Sequence, residues 1–339
     1  MAEALAVKYR PKDWSDVCGQ ESVIRILERQ LELGRFSHTY LFSGNSGSGK
    51  TTIGRILANK LNKFIGTPVE IDGASNNGVD NVKSIISSAN ERSIEGKYKI
   101  FIIDECHMLT TQAWNAFLKC IEEPPEFTIF IFCTTDPQKI PNTILNRVQR
   151  FNINKIKTSQ IKTRLEYICE QEGFINYIDA CDYLSRISNG GMRDAISMLE
   201  KCAAYDNNLS LENVLTALGN YSYDSFFKLT NNIIDGNEKA VLSIIEEFYE
   251  NGNDLKIFVD QFLKFILDIE KYCLFKNINS TSLPNNLESD IIKCINFNDA
   301  DKYYSYILDR ILSLKNSLKN NSDIRSLVEI GMLQVTRCQ

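Results

Sequence analysis

The chain has 339 residues, room for two or three domains at roughly 100 to 200 residues each. Hydrophobic residues make up 43% and charged ones 24%, a globular profile and not a disordered one. No apolar run reaches the roughly 18 residues of a membrane span, and the N-terminus MAEALAVKYRPKDW has no apolar signal core, so a soluble protein with no membrane partner is expected. The ten cysteines form no C-x-x-C pair, which argues against zinc ribbons and thioredoxin-like centres and points to a reducing cytoplasm. The net charge of −5 is uneven: residues 1–150 hold 18 Lys and Arg against 17 Asp and Glu, and the rest hold 20 against 26. Phosphate chemistry therefore belongs in the first half.

Up to about residue 155, short apolar strands alternate with helical stretches, the rhythm of a parallel α/β domain. Strands are predicted at Thr39–Ser43, Val69–Asp72, Lys99–Ile103, Thr128–Cys133 and Arg150–Ile153, with helices near 20–33, 50–63, 79–92 and 110–122. The third and fourth strands are continuous apolar runs, as in sheets covered on both faces. Beyond 155 the strand signal ends. Four amphipathic helices are predicted at 158–172, 177–188, 191–205 and 210–218, broken at Gly173, Gly190–Gly191 and Gly219. Six more come after them, at about 222–235, 237–251, 254–275, 286–295, 299–318 and 322–337. The fold class is thus an α/β nucleotide-binding domain, then a small helical domain, then a larger all-helical one.

The strongest motif is Gly44-Asn45-Ser46-Gly47-Ser48-Gly49-Lys50-Thr51, a G-x-x-x-x-G-K-[ST] phosphate loop between a strand and a helix. Its glycines let backbone N–H groups approach a polyphosphate, Lys50 reaches the β- and γ-phosphates, and the Thr51 hydroxyl suits Mg²⁺. The cofactors expected are ATP and Mg²⁺. Downstream, the strand Ile100–Ile103 ends in Asp104 and Glu105. Asp104 is expected in the Mg²⁺ shell and Glu105 to polarise the attacking water, a pairing that points to hydrolysis. An acidic pair after a strand also serves as a helix cap. Asp104-Glu105-Cys106-His107 spells the D-E-x-H box of one helicase superfamily, but such helicases need a second α/β lobe, and residues after 155 read helical. Cys106 and His107 are adjacent and cannot supply spaced metal ligands. His107 reads as a local hydrogen-bonding group, and Trp14 and Trp114 as packing residues.

Further fragments fall in order around these motifs: KYRP and VCGQ before the phosphate loop, then IDGASNNGVD, DECHML, NAFLKCIEEPP, CTTDPQKIPNTILNRVQRF and GGMRDAISMLE. Together they resemble the bacterial gamma/tau ATPase subunits of the DNA polymerase III sliding-clamp loader, a family of AAA+ ATPases. The resemblance is dense from about residue 5 to 219 and fades to a shared helical layout beyond. It implies an AAA+ domain over 1–156, a helical lid over 157–219 and an oligomerising collar over 220–339.

The same resemblance assigns roles to single positions. Thr135 matches sensor 1, which reads the γ-phosphate. Arg147 lies where the family places an arginine finger for the neighbouring subunit's ATP, and Arg193 matches sensor 2 on the lid. Val7, Tyr9, Arg10, Pro11, Val17 and Gly19 are expected on the adenine side, with Asn45, Ser46, Gly47, Ser48, Gly49, Lys50, Thr51 and Thr52 around the phosphates. Asn76, Asn77 and Gly78, with Gln138 and Thr143 nearby, are expected to meet DNA phosphates without reading bases. On the other face of the helix that Gly78 opens, Ile85, Ile86 and Ala89 are expected to form an apolar patch for the sliding clamp.

Three departures stand out. The four-cysteine zinc module that the family usually inserts has no counterpart at Asn62–Pro68, so no zinc is expected. The finger motif reads Asn146-Arg147-Val148 in place of Ser-Arg-Cys, and the chain ends at Gln339 without the long tail of the longer family form. The resemblance implies the ATP-driven motor of a clamp loader, with the sliding clamp, primer–template DNA and other loader subunits as partners. The alternatives are a non-hydrolysing structural subunit and an AAA+ ATPase that remodels recombination intermediates.

Overall fold

In the computed structural model, which describes residues 3–219, 222–250, 252, 254–284, 287–319 and 323–337, the chain forms two compact units. The first comprises Met1–Gln171 and Ser188–Glu200, the second Glu172–Ile187 and Lys201–Gln339.

The first unit runs α1 (Leu5–Lys8), α2 (Glu21–Leu33), β1 (Thr39–Gly44), α3 (Lys50–Leu61), β2 (Val69–Asp72), α4 (Val79–Ala89), β3 (Lys99–Asp104), α5 (Thr111–Glu122), β4 (Thr128–Thr134), α6 (Asn142–Leu145), β5 (Gln149–Ile153) and α7 (Thr158–Glu172). It also holds the first turns of α9 (Met192–Tyr205), which comes after α8 (Ile178–Ile187) of the other unit. All five predicted strands form, each within one residue of its expected bounds. Helices α1 and α6 carry no periodicity signal, because four residues make barely one turn.

The strands are parallel, in the order β2-β3-β4-β1-β5. Successive side chains on a strand face opposite sides, and the two cores separate accordingly. Leu41, Phe101, Ile103, Phe130 and Phe132 pack on one side with Val82, Ile85 and Ala89 of α4 and with Trp114 and Phe117 of α5. Tyr40, Phe42, Ile100, Ile102, Ile129 and Ile131 pack on the other with Trp14, Leu27 of α2 and Ile53, Ile56 and Leu57 of α3. Every residue of β4 is buried, which is why its sequence is apolar without alternation. At roughly 1.5–3 kcal/mol for each fully buried large side chain, Phe130 and Phe132 alone make β4 a principal anchor of the sheet.

Strand order decides which polar strand ends become neighbours. The phosphate-loop strand β1 lies between β4 and β5, so β4 separates it from β3, which ends in Asp104. Ligand groups in such sheets gather beyond the C-terminal ends of the strands.

The second unit is helical: α8, the end of α9, then α10 (Leu211–Leu218), α11 (Tyr223–Ile234), α12 (Glu238–Glu250), α13 (Leu255–Phe275), α14 (Glu288–Cys294), α15 (Ala300–Ser317) and α16 (Ile324–Thr336). Asp254 begins α13 by accepting hydrogen bonds from the backbone N–H groups of Lys256 and Ile257. Phe226, Phe258, Phe262 and Phe265 then stack along the axis of its core. No helix among the described residues is long and apolar enough to cross a membrane.

Candidate nucleotide-binding site

Two glycines shape the phosphate loop. Gly47 (φ 69°) and Gly49 (φ 103°) occupy left-handed conformations that β-carbon-bearing residues avoid. A Cβ on Gly44 would stand 2.3 Å from the Ile153 carbonyl oxygen, so only glycine lets β1 run this close to β5. α3 begins directly after Gly49, which aims its unpaired N–H groups at the loop. Lys50 is almost fully buried, and its Nζ donates to the carbonyls of Gly44 (2.9 Å) and Asn45 (2.8 Å). The loop thus closes on its own lysine, holding the ammonium where a phosphate would meet it.

A cavity of about 120 Å³ opens beside the loop. Tyr9, Arg10, Pro11, Val17, Gly47, Ser48, Gly49, Lys50, Thr51, Thr52 and Arg193 line it, all expected at a nucleotide. Gly19, Asn45 and Ser46 are not on its wall. Val7 is also off the wall and half exposed, while its neighbour Ala6 on one-turn α1 lines the cavity. Besides Ala6, sequence reasoning missed Asp16, Cys18, Ile156, Arg164, Met192 and Ile196. Arg164 comes from α7 and donates to the Tyr9 carbonyl at 3.1 Å, a pairing across 155 positions that no local pattern signals. Burial, then the neighbouring Arg55 guanidinium, pulls the Arg10 pKa down, and Arg193 adds to the effect. The start of α9 reaches the loop through Met192 N–H, which donates to the Gly47 carbonyl at 3.0 Å, and Gly191 leaves no room for a side chain there.

At the end of β3, the Thr51 hydroxyl donates to Asp104 Oδ2 at 2.7 Å, while Glu105 N–H donates to Asp104 Oδ1 at 2.9 Å. The oxygens of Thr51 and Asp104 are hard donors of the kind Mg²⁺ takes, and they lie together beside the phosphate loop. Glu105 itself is left-handed (φ 43°). At the end of β4, the Thr135 hydroxyl donates to Glu105 Oε2 at 3.0 Å. His107 Nδ1 stands 3.3 Å from the same oxygen and 3.2 Å from Thr134 Oγ1. Cys106 and Cys133, buried beneath, have thiols pushed well above their ordinary pKa by desolvation, so they stay protonated and unreactive.

Arg147 lies elsewhere. It precedes β5, whose Gln149 pairs with Tyr40 near the start of β1 and whose Ile153 pairs with Gly44 at its end. The strand spans about 13 Å, and Arg147 lies two residues farther from the phosphate loop. Its Nε is 2.6 Å from Glu122 Oε1 and its Nη1 donates to the Thr143 carbonyl at 2.7 Å.

Asn76, Asn77 and Gly78 join β2 to α4. Asp72 accepts from the backbone N–H groups of Ala74 and Ser75, Asn76 N–H donates to the Asp72 carbonyl, and Thr110 N–H donates to the Asn77 carbonyl. Asn77, Gln138 and Thr143 are exposed, while Asn76 and Gly78 are half-buried. The apolar patch expected for the clamp is corrected. Ile85 and Ala89 are buried in the sheet core and Ile86 packs against it, because α4 turns this stripe toward Phe101 and Phe130.

Three family models match consecutive segments: DNA polymerase III, delta subunit (67–157), the DNA polymerase III clamp loader subunit ATPase lid domain (160–208), and domain III of DNA polymerase III subunits gamma and tau (209–302). The chain is 35% identical to DNA polymerase III subunit tau of Salmonella typhimurium over 286 residues, covering 78% of this chain and 44% of that one. It is 29% identical to DNA polymerase III subunit gamma of Buchnera aphidicola over 332 residues, covering 91% of each. The chain belongs to the gamma/tau family of DNA polymerase III clamp loader subunits. Many gamma/tau relatives are longer: this chain spans 44% of the Salmonella subunit and 52% of the tau subunit of Bacillus subtilis. Among solved structures, the Thermotoga maritima RuvB Holliday junction branch migration motor superposes with a TM-score of 0.52 over 67% of this chain and 79% of that one, at 20% identity. That likeness shows a shared AAA+ fold.

Proposed function

We propose that this chain is an ATP-hydrolysing motor subunit of a sliding-clamp loader, with ATP shared between neighbouring subunits. The observation that supports it most is the division of charge between the two ends of the sheet. Lys50, Thr51, Asp104, Glu105 and Thr135 meet at one end, and Arg147 stands at the other, out of reach of its own phosphate loop.

In this reading the backbone N–H groups of Gly47–Thr51 bind the phosphates, and Lys50 exchanges its two carbonyl partners for β- and γ-phosphate oxygens. Thr51 and Asp104 would hold Mg²⁺, which when bound neutralises charge on those oxygens. Glu105 accepts a proton from the attacking water, and Thr135 orients the carboxylate and senses the γ-phosphate. Tyr9, Arg10, Pro11 and Val17 line the base side, with Arg193 on the phosphate side. Residues 1–156 act as motor, 157–219 as lid and 220–339 as collar. Asn76, Asn77, Gly78, Gln138 and Thr143 contact backbone phosphates of primer–template DNA, by shape and not by base.

The test is ATP turnover by the assembled loader with and without clamp and primer–template DNA. Turnover should rise when both are added and vanish in Lys50→Ala, which loses nucleotide affinity. Stimulation of wild-type turnover by neither clamp nor DNA would overturn the loader reading, and turnover by Lys50→Ala at the wild-type rate would overturn the site.

A further inference from the structure

We propose that His107 is a positioning residue that sets the carboxylate of Glu105 for water activation. The proposal rests on the reading of Glu105 as the water-activating group.

The geometry is specific. His107 Nδ1 faces two oxygens, Glu105 Oε2 at 3.3 Å and Thr134 Oγ1 at 3.2 Å, and its side chain is only 11% exposed. The ring's hydrogen bond is with Thr134 Oγ1, and with its proton on Nδ1 the same nitrogen turns positive charge and not a lone pair toward Glu105 Oε2. Thr134 Oγ1 also accepts from Asp136 N–H at 3.0 Å, which ties the ring's second contact to the rigid end of β4. Glu105 Oε2 therefore lies between the Thr135 hydroxyl, which donates to it at 3.0 Å, and His107 Nδ1, which faces it at ion-pair distance. Among the described residues both of these contacts fall on Oε2, which leaves Oε1 to take the proton from water.

The backbone explains why a holder is needed. Glu105 sits in the left-handed region between the end of β3 and the short turn Cys106–Met108, and its side chain is 39% exposed. An exposed glutamate on such a turn has several rotamers open to it. Thr135 fixes one oxygen by a single bond, about which the carboxylate still pivots. A buried ring beside the same oxygen, itself hydrogen-bonded to Thr134 at the end of β4, restricts that freedom.

The side chains available at position 107 separate this role from mere packing. His107→Asn places an amide N–H near the position of Nδ1, whereas His107→Gln places it near Nε2. Steady-state turnover of the assembled loader with clamp and DNA should fall about 10- to 100-fold in His107→Ala and His107→Gln, the scale of a misplaced catalytic group, with KM for ATP unchanged. His107→Asn should recover most of kcat. In a Glu105→Gln background, His107→Ala should cause no further loss, because it acts through the group already removed. Should His107→Ala fail to fold, as read by thermal melting, the Asn and Gln variants carry the comparison alone. Equal activity of Asn and Gln, or a loss seen in KM and not in kcat, overturns the proposal. Wild-type turnover by Glu105→Gln overturns the assignment of Glu105 itself, and this proposal falls with it.

Discussion

At the C-terminal ends of β1, β3 and β4 the polar side chains point inward on one another: Thr51 to Asp104, Thr135 and His107 to Glu105, Lys50 to its own loop. At the opposite end, near the start of β1 and β5, the same sheet presents Arg147 beside Glu122 on an open surface, both about 40% exposed. The first end is strained and crowded, with left-handed residues at Gly47, Gly49 and Glu105 and glycines that admit no Cβ. The second is held by one ion pair and one carbonyl contact, which solvent weakens. On the function proposed above, the contrast teaches that a preorganised half-site can be built within one chain, while the cation that would complete a neighbour's site is held only by an exposed ion pair.

The sharpest way to break that contrast is Arg147→Ala. In the assembled complex it should lower hydrolysis by roughly 10³- to 10⁵-fold at each affected site, the range of established arginine fingers, with nucleotide affinity in the isolated chain unchanged. Mixing Arg147→Ala with Lys50→Ala subunits should restore part of the activity, since some interfaces then join a good loop to a good arginine. Assemblies confirmed as mixed by mass spectrometry that recover nothing would place Arg147 outside the shared site.

Glu105→Gln should come next, with turnover lowered by about 10²- to 10⁴-fold, as for loss of a general base, and ATP binding retained. Single-turnover kinetics beside equilibrium nucleotide binding separates the two quantities. A parallel loss of binding would mean that Glu105 supports the loop and not the chemistry.

Crowding at the C-terminal end makes a smaller, structural prediction. Gly44→Ala puts a methyl group 2.3 Å from the Ile153 carbonyl, an overpacking that should cost about 1–3 kcal/mol. Calorimetry should show a lowered melting transition, by roughly 2–4 °C per kcal/mol for a unit of this size. An unchanged transition would mean that β1 and β5 part more easily than the glycine implies.

The smallest effect belongs to the open end. Glu122→Ala removes the partner of Arg147 from an exposed pair and should change stability by roughly 1 kcal/mol or less, less still at high salt. Denaturant titration at two ionic strengths tests it. A loss above about 2 kcal/mol would show that the arginine is clamped and not loosely held.

Local pattern in the sequence was enough for the elements and the phosphate loop. Continuous apolar runs specified β3 and β4, period and glycine breaks specified the helices from 158 onward, and G-x-x-x-x-G-K-T named its own strand–loop–helix context. These signals are local because they reflect backbone geometry and burial along a single element. What only the tertiary structure decided depends on which elements meet. Sheet order β2-β3-β4-β1-β5 brought Thr135 to Glu105 across 30 positions, and helix packing brought Arg164 of α7 to Tyr9 across 155. It turned Ile85 and Ala89 inward, where an amphipathic stripe read alone cannot tell a core from a docking surface. It also placed His107 against Glu105, because a strand end, a left-handed residue and a turn together aim a ring that in sequence is only one histidine after a cysteine.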